Sequence, residues 1–128
     1  MRSLLVIILL FPSISWAFFS KTYDCKADHV LNENNTKNFN VIGSIVVEIK
    51  TLGTKRMIIN EEDGEVKDLL VEKENQKVYV SEVYITKIKK NSLSYTFDKT
   101  NDKLIVNVLS SKDKDIKYKE FHFKCNKL

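Results

Sequence analysis

The chain has 128 residues, 43% of them hydrophobic and 30% charged, with a formal net charge of +4 at pH 7. That is enough for one domain with a real core and too apolar for a disordered tail. The balance of 21 basic against 17 acidic residues gives no demand for a polyanionic partner, and two cysteines with two histidines leave few groups for metal or nucleophilic chemistry.

Residues 1–17 read as an export signal. Met1-Arg2-Ser3 is a basic start, Leu4 to Phe11 is an apolar run, and Ser15-Trp16-Ala17 places small residues where a signal peptidase reads, so cleavage is expected after Ala17. The run falls well short of the roughly 20 residues a membrane span needs, and Pro12, Ser13 and Ser15 interrupt it. The expectation is a secreted or periplasmic protein without a stable membrane anchor, its single domain occupying 18–128. In that oxidising setting Cys25 and Cys125 are expected to pair.

From Thr22 onward the hydrophobic period is two. Tyr23, Cys25 and Ala27 share one face and Asp24, Lys26 and Asp28 the other, which predicts a half-buried strand. Asn32 to Lys37 is a polar loop. Phe39, Val41, Gly43, Ile45, Val47 and Ile49 then alternate along a long strand, with Gly43 marking a bend. Thr51 to Thr54 turns the chain, Lys55 to Asn60 returns, and Asp63-Gly64 carries a hairpin signal. Glu65 to Asn75 is read as a strand because of the hairpin before it, with a short helix, which the spacing of Val66, Leu69 and Leu70 suits, as the alternative.

Lys77 to Ile88 is rich in Val, Ile and Tyr, with Tyr79, Val83 and Ile85 on one face and Val78, Val80 and Tyr84 on the other. Leu93, Tyr95 and Phe97 alternate with polar neighbours, Lys99 to Asp102 turns, and Lys103 to Leu109 completes a hairpin. The closing strand, Ile116 to Cys125, changes apolar parity between Tyr118 and Phe121, which points to a bulge near Lys119-Glu120.

About eight short strands joined by polar turns predict an all-β antiparallel meander, either a closed barrel or a two-sheet sandwich, with one disulfide joining the first and last strands. The loop that disulfide closes spans nearly the whole domain, and the chain-entropy model assigns such a cross-link roughly 4 to 5 kcal/mol. The inward positions expected from parity include Tyr23, Phe39, Ile45, Val47, Ile49, Met57, Ile59, Val83, Ile85, Tyr95, Phe97, Leu104, Val106, Phe121 and Phe123. Several large rings in that set predict a filled interior.

Candidates for chemistry are few. His122 lies between Phe121 and Phe123 and so faces away from the core, and His29 lies where the first strand is expected to end. The glycines Gly43, Gly53 and Gly64 are too dispersed for a phosphate-cradling loop. Aligning Gly64 with the sixth position of a calcium loop puts Ile59 and Leu70 at the two end ligands, so the acidic stretch Glu61 to Glu65 reads as a solvated hairpin tip. Tyr23-Asp24-Cys25 resembles the opening of the periplasmic C-type lysozyme inhibitors. The resemblance covers those three residues, since the Ser-Gly-x-x-Tyr string of that family's inhibitory loop is missing and the nearest match is Ser92-Leu93-Ser94-Tyr95.

The functional expectation is a small exported binding protein without catalysis, cofactor or metal, engaging a protein partner through its outer surface. Tyr79 and Tyr84 on a partly exposed face, with Lys87, Lys89 and Lys90 beside them, are the candidate partner-binding residues. No nucleic acid is expected as a partner, because acidic residues interleave with the other lysines and lysine commonly guards strand edges. The alternatives are a lipocalin-like carrier of a small apolar ligand in the barrel interior and, third, an enzyme.

Overall fold

Regular structure in residues 20–86, 90–112 and 115–128, which a computed structural model describes, consists of ten strands. They are β1 (Ser20–Asn32), β2 (Lys37–Asn38), β3 (Ser44–Lys50), β4 (Arg56–Glu61), β5 (Val66–Glu74), β6 (Val78–Ser81), β7 (Tyr84–Ile85), β8 (Ser92–Asp98), β9 (Lys103–Lys112) and β10 (Asp115–Lys127). Every pairing is antiparallel, and the order runs β10-β9-β8-β6-β5-β4-β3-β1. Because β1 pairs with β10 as well as with β3, eight strands close into a barrel and the sandwich alternative is settled. The two-residue strands β2 and β7 attach to β1 and β8. The expected export signal lies outside the described residues.

The disulfide sits in the closing ladder. Cys25 and Cys125 are directly opposite across β1 and β10, with their Cα atoms 4.0 Å apart, and both are buried. Around them one core cluster collects the inward residues of every long strand, among them Tyr23, Val47, Met57, Ile59, Leu69, Tyr95, Phe97, Leu104 and Phe123. Tyr95 and Phe97 are fully enclosed, so aromatic bulk fills the middle of the barrel as expected from the interior width of eight strands.

Three local expectations are corrected and one, strand over helix after the Asp63-Gly64 turn, is borne out. The strand predicted from Phe39 starts only at Ser44, with the Gly43 carbonyl accepting from Ala27 N–H at 2.9 Å just before it; Phe39 is 65% exposed, its ring 5.5 Å from that of His29. The strand expected over Glu65 to Asn75 is present as β5, since hairpin geometry outweighs helix propensity: Asp63-Gly64 turns the chain with Gly64 at φ 90°, and Gly64 N–H donates to the Glu61 carbonyl at 3.0 Å. That register sends Lys67 and Leu69 inward opposite Ile59 and Met57, while Val66 and Leu70 face out.

Val83 and Ile85 are 58% and 63% exposed, against expectation. The cause is a slip of one residue between the pairs Val80–Thr96 and Tyr84–Leu93, which swaps the faces beyond Ser81 and turns Tyr84 toward the core instead. Where the ladder breaks, the Ser81 hydroxyl accepts from Tyr95 N–H at 2.9 Å and donates to the Glu82 carbonyl at 2.9 Å. The bulge expected at Lys119-Glu120 lies across the ladder instead, between Ala27 and His29 on β1, while β10 runs against β9 without interruption. The consequence is that Tyr118 faces out.

Thiol titration of the denatured, unreduced protein should find no free thiol, and Cys25→Ala and Cys125→Ala should each cost a similar amount, roughly 2 to 5 kcal/mol. Two titratable thiols, or clearly unequal losses, would contradict the cross-link. Phe97→Ala should cost about 3 to 5 kcal/mol, and Phe121→Ala less, because Phe121 is only half-buried. Equal losses in denaturant unfolding would contradict this placement.

Candidate functional site

The strand ends at one mouth of the barrel enclose a cleft of about 240 Å³, lined by Lys21, Tyr23, Ile49, Thr51, Tyr79, Phe97 and Lys99. Two cross-strand pairs make its walls: Lys21 opposite Ile49 on β1 and β3, and Tyr79 opposite Phe97 on β6 and β8. Lys21 points inward for the same reason as Tyr23 and Cys25, since residues two apart on a strand share a face. The Tyr23 ring packs on Phe97 with centroids 4.5 Å apart. Burial raises the pKa of the Tyr23 phenol, and the fields of Asp102 and Tyr79 raise it further, so it stays a neutral donor.

Lys99 is held in place at this mouth. Its ammonium lies 4.0 Å from the Tyr79 ring centroid, close enough for cation–π attraction, and donates to Glu74 Oε1 at 3.2 Å. Lys55 donates to the other oxygen of Glu74 and lies 6.0 Å from the same ring. The hydrogen bond from Lys55, followed by that from Lys99, keeps the Glu74 carboxyl below its usual range. The adjoining turn is tied by Asp98, whose carboxylate accepts from the Thr100 hydroxyl at 2.6 Å and from the Asn101 side-chain amide at 3.0 Å. These bonds lower its pKa from 3.8 to about 2.

A second polar cluster lies at the opposite mouth. Lys67, only 5% exposed, donates to Glu61 Oε1 at 3.1 Å, stands 3.6 Å from Glu65 Oε1 and lies 5.3 Å from the Tyr84 ring centroid. Tyr95 O–H donates to the same Glu61 oxygen at 3.3 Å. Burial is the largest influence on Lys67 and disfavours its charge, but Tyr95 and Glu61 outweigh it, so the ammonium persists. Burial pushes the Tyr95 phenol up to about 12. Carboxylate oxygens of Glu61, Asp63 and Glu65 lie within 4.8 Å of one another, and Lys67 already supplies a cation to two of the three.

The histidines belong to neither mouth. They face each other across the closing seam on its outer side, stacked with centroids 4.4 Å apart and planes 12° from parallel. His29 Nδ1 is 2.7 Å from Asp28 Oδ2, and His122 Nε2 is 3.2 Å from Glu120 Oε2.

The residues singled out from sequence are not brought together. Tyr79 lines the cleft, Tyr84 sits under Lys67 at the other mouth, Lys90 is exposed in the turn after β7, and Lys87 and Lys89 lie outside the described residues. Sequence reasoning missed Lys21, Lys99 and Lys67. Parity with Tyr23 would have turned Lys21 inward, and parity with Leu69 would have done so for Lys67. Comparison with protein-family models, with curated proteins and with solved structures finds no match to this chain.

Lys67→Met should cost roughly 1 to 3 kcal/mol by stranding polar partners, and adding Glu61→Gln should restore part of it, because the partly exposed Glu61 then no longer carries an unpaired charge. Additive losses in denaturant unfolding would contradict the coupling. Because the folded-state pKa of Asp98 is depressed, its contribution is present above pH 3.8 and is lost as pH falls toward about 2. The gap in melting temperature between the parent and Asp98→Ala should therefore be open at neutral pH and close over that window; a gap unchanged at pH 2 would contradict it.

Proposed function

We propose that this is a non-catalytic binding protein of an oxidising compartment, secreted or periplasmic, that takes a small ligand at one mouth of its barrel. The observation that carries this reading is the cleft between the Lys21–Ile49 and Tyr79–Phe97 pairs. Concave sites in barrel mouths, apolar with a few convergent polar groups, are where such proteins bind. Tyr95 and Phe97 fill the barrel beyond, so the ligand rests at the mouth instead of passing inside as in a lipocalin-like carrier. Both histidines stack on the outer seam, leaving the cleft with donors and rings but no imidazole base. The disulfide fits an oxidising compartment, and among the described residues no helix is long and apolar enough to cross a membrane.

A second reading, a protein partner on the outer surface, has its own support. Ile85, Ser92, Leu109 and Tyr118 are successive partners across β7, β8, β9 and β10, and Ile85, Leu109 and Tyr118 are 63%, 43% and 38% exposed. An exposed apolar row of this kind suits a partner more than water.

Amide NMR of the disulfide-bonded protein, screened against small aromatic and aliphatic fragments, separates the two. Mouth binding should shift the amides of Lys21, Thr51 and Phe97, and Tyr79→Ala should weaken it. Shifts confined to the Leu109–Tyr118 row, or absent at the mouth, would overturn the first reading.

A further inference from the structure

Building on the mouth-binding reading, we propose that the cleft selects a small amphipathic carboxylate, its anionic head between Lys21 and Lys99 and its apolar body against Phe97 and Ile49.

The groups lining the cleft are weighted toward donors. An ammonium offers three donors and no acceptor, and a neutral phenol offers one. Lys21 has no hydrogen bond or ion pair among the described residues, and neither the Tyr23 nor the Tyr79 hydroxyl has a protein partner among them, though all three residues line the cleft. Lys99 spends one donor on Glu74 and rests on the Tyr79 face, which fixes its position and leaves donor capacity unused. A ligand that satisfies two ammoniums and two phenols at once has to bring acceptors and negative charge.

Nearby acids do not already fill that role. Glu74 is shared between Lys55 and Lys99, and Asp98 is spent inside its own turn on Thr100 and Asn101. Asp102 is exposed and forms no ion pair among the described residues, although its field reaches Tyr23. Lys21 is thus a cation without a counter-charge at the entrance to a partly apolar site. Charge-assisted hydrogen bonds to carboxylate are about twice as strong as neutral ones.

Size and floor restrict the rest of the ligand. A space of about 240 Å³ falls below the ~300–1,000 Å³ of drug-sized pockets, so the body is a single ring or a short chain and not a long acyl tail. Phe97 and Ile49 at the base are both buried and offer only apolar contact, which gives a bare inorganic anion nothing to gain there.

The test titrates the labelled, disulfide-bonded protein with sodium hexanoate, 1-hexanol, hexylammonium chloride and inorganic phosphate, following the amides of Lys21, Tyr23, Thr51, Phe97 and Lys99. Hexanoate should move the mouth amides and bind roughly tenfold tighter than hexanol, as expected for one hydrogen bond to a charged group. Hexylammonium and phosphate should bind more weakly than either. Lys21→Ala, at an exposed side chain, should keep the folded spectrum while losing about that same tenfold toward hexanoate and clearly less toward hexanol. Hexanol or hexylammonium binding as well as hexanoate would overturn the carboxylate preference while leaving the mouth as the binding site. Phosphate matching hexanoate would overturn the apolar half of the ligand, and a Lys21→Ala variant with unchanged hexanoate affinity would overturn the role of that residue. If no probe moves the mouth amides, the mouth-binding reading falls and the ligand class falls with it.

Discussion

Closure of β1 against β10 is the contact on which the other features rest. An open eight-stranded sheet would leave two long edges unsatisfied, and closing it pairs both while defining an inside. The disulfide lies within that ladder, joining residues 100 apart in sequence, so it limits the unfolded chain at the place where the folded one needs its least local contact. Farther along the same seam, the extra residue at Asp28 shifts the ladder by one position, and the stacked histidines cover it from outside.

What closure encloses differs along the barrel axis. Rings and aliphatic side chains fill the middle, whereas each mouth carries inward lysine. At one mouth Lys67 is fully engaged by Glu61, Glu65 and the Tyr84 ring, and that end is self-contained. At the other, Glu74 occupies Lys55 and Lys99 but nothing among the described residues pairs with Lys21. The two ends use the same residue types with different completeness, and the incomplete one has the cleft. The proposed binding role rests on that difference, since the exposed ammonium of Lys21 is open to a ligand where that of Lys67 is not.

Much of this fold was legible from alternation. Tyr23, Cys25, Ile45, Val47, Met57, Ile59, Tyr95, Phe97 and Leu104 all face inward as their spacing implies, and the cysteines are neighbours on the first and last long strands. Parity fails wherever one extra residue enters, because the period is two and a single insertion reverses every face beyond it. That happens after Ser81, which exchanges Val83 and Ile85 for Tyr84, and nothing in the composition of that stretch marks it. Phe39 misled for another reason: an apolar residue in phase with a strand lies instead ahead of its start, with its ring beside that of His29. The cleft was half legible. Tyr79 stood out as an aromatic residue, but Lys21 and Lys99 did not, since lysine is by default assigned to solvent and only the register brings them to one mouth.

If closure governs the mouth as well as the seam, native-state hydrogen exchange on the oxidised and reduced protein will show it. Reduction should lower the protection of the mouth amides of Tyr23, Ile49 and Phe97 together with the seam amides of Cys25 and Phe123, in one cooperative step. Loss of protection confined to β1 and β10, with Ile49 and Phe97 as protected as before, would contradict the dependence of the site on the closing contact.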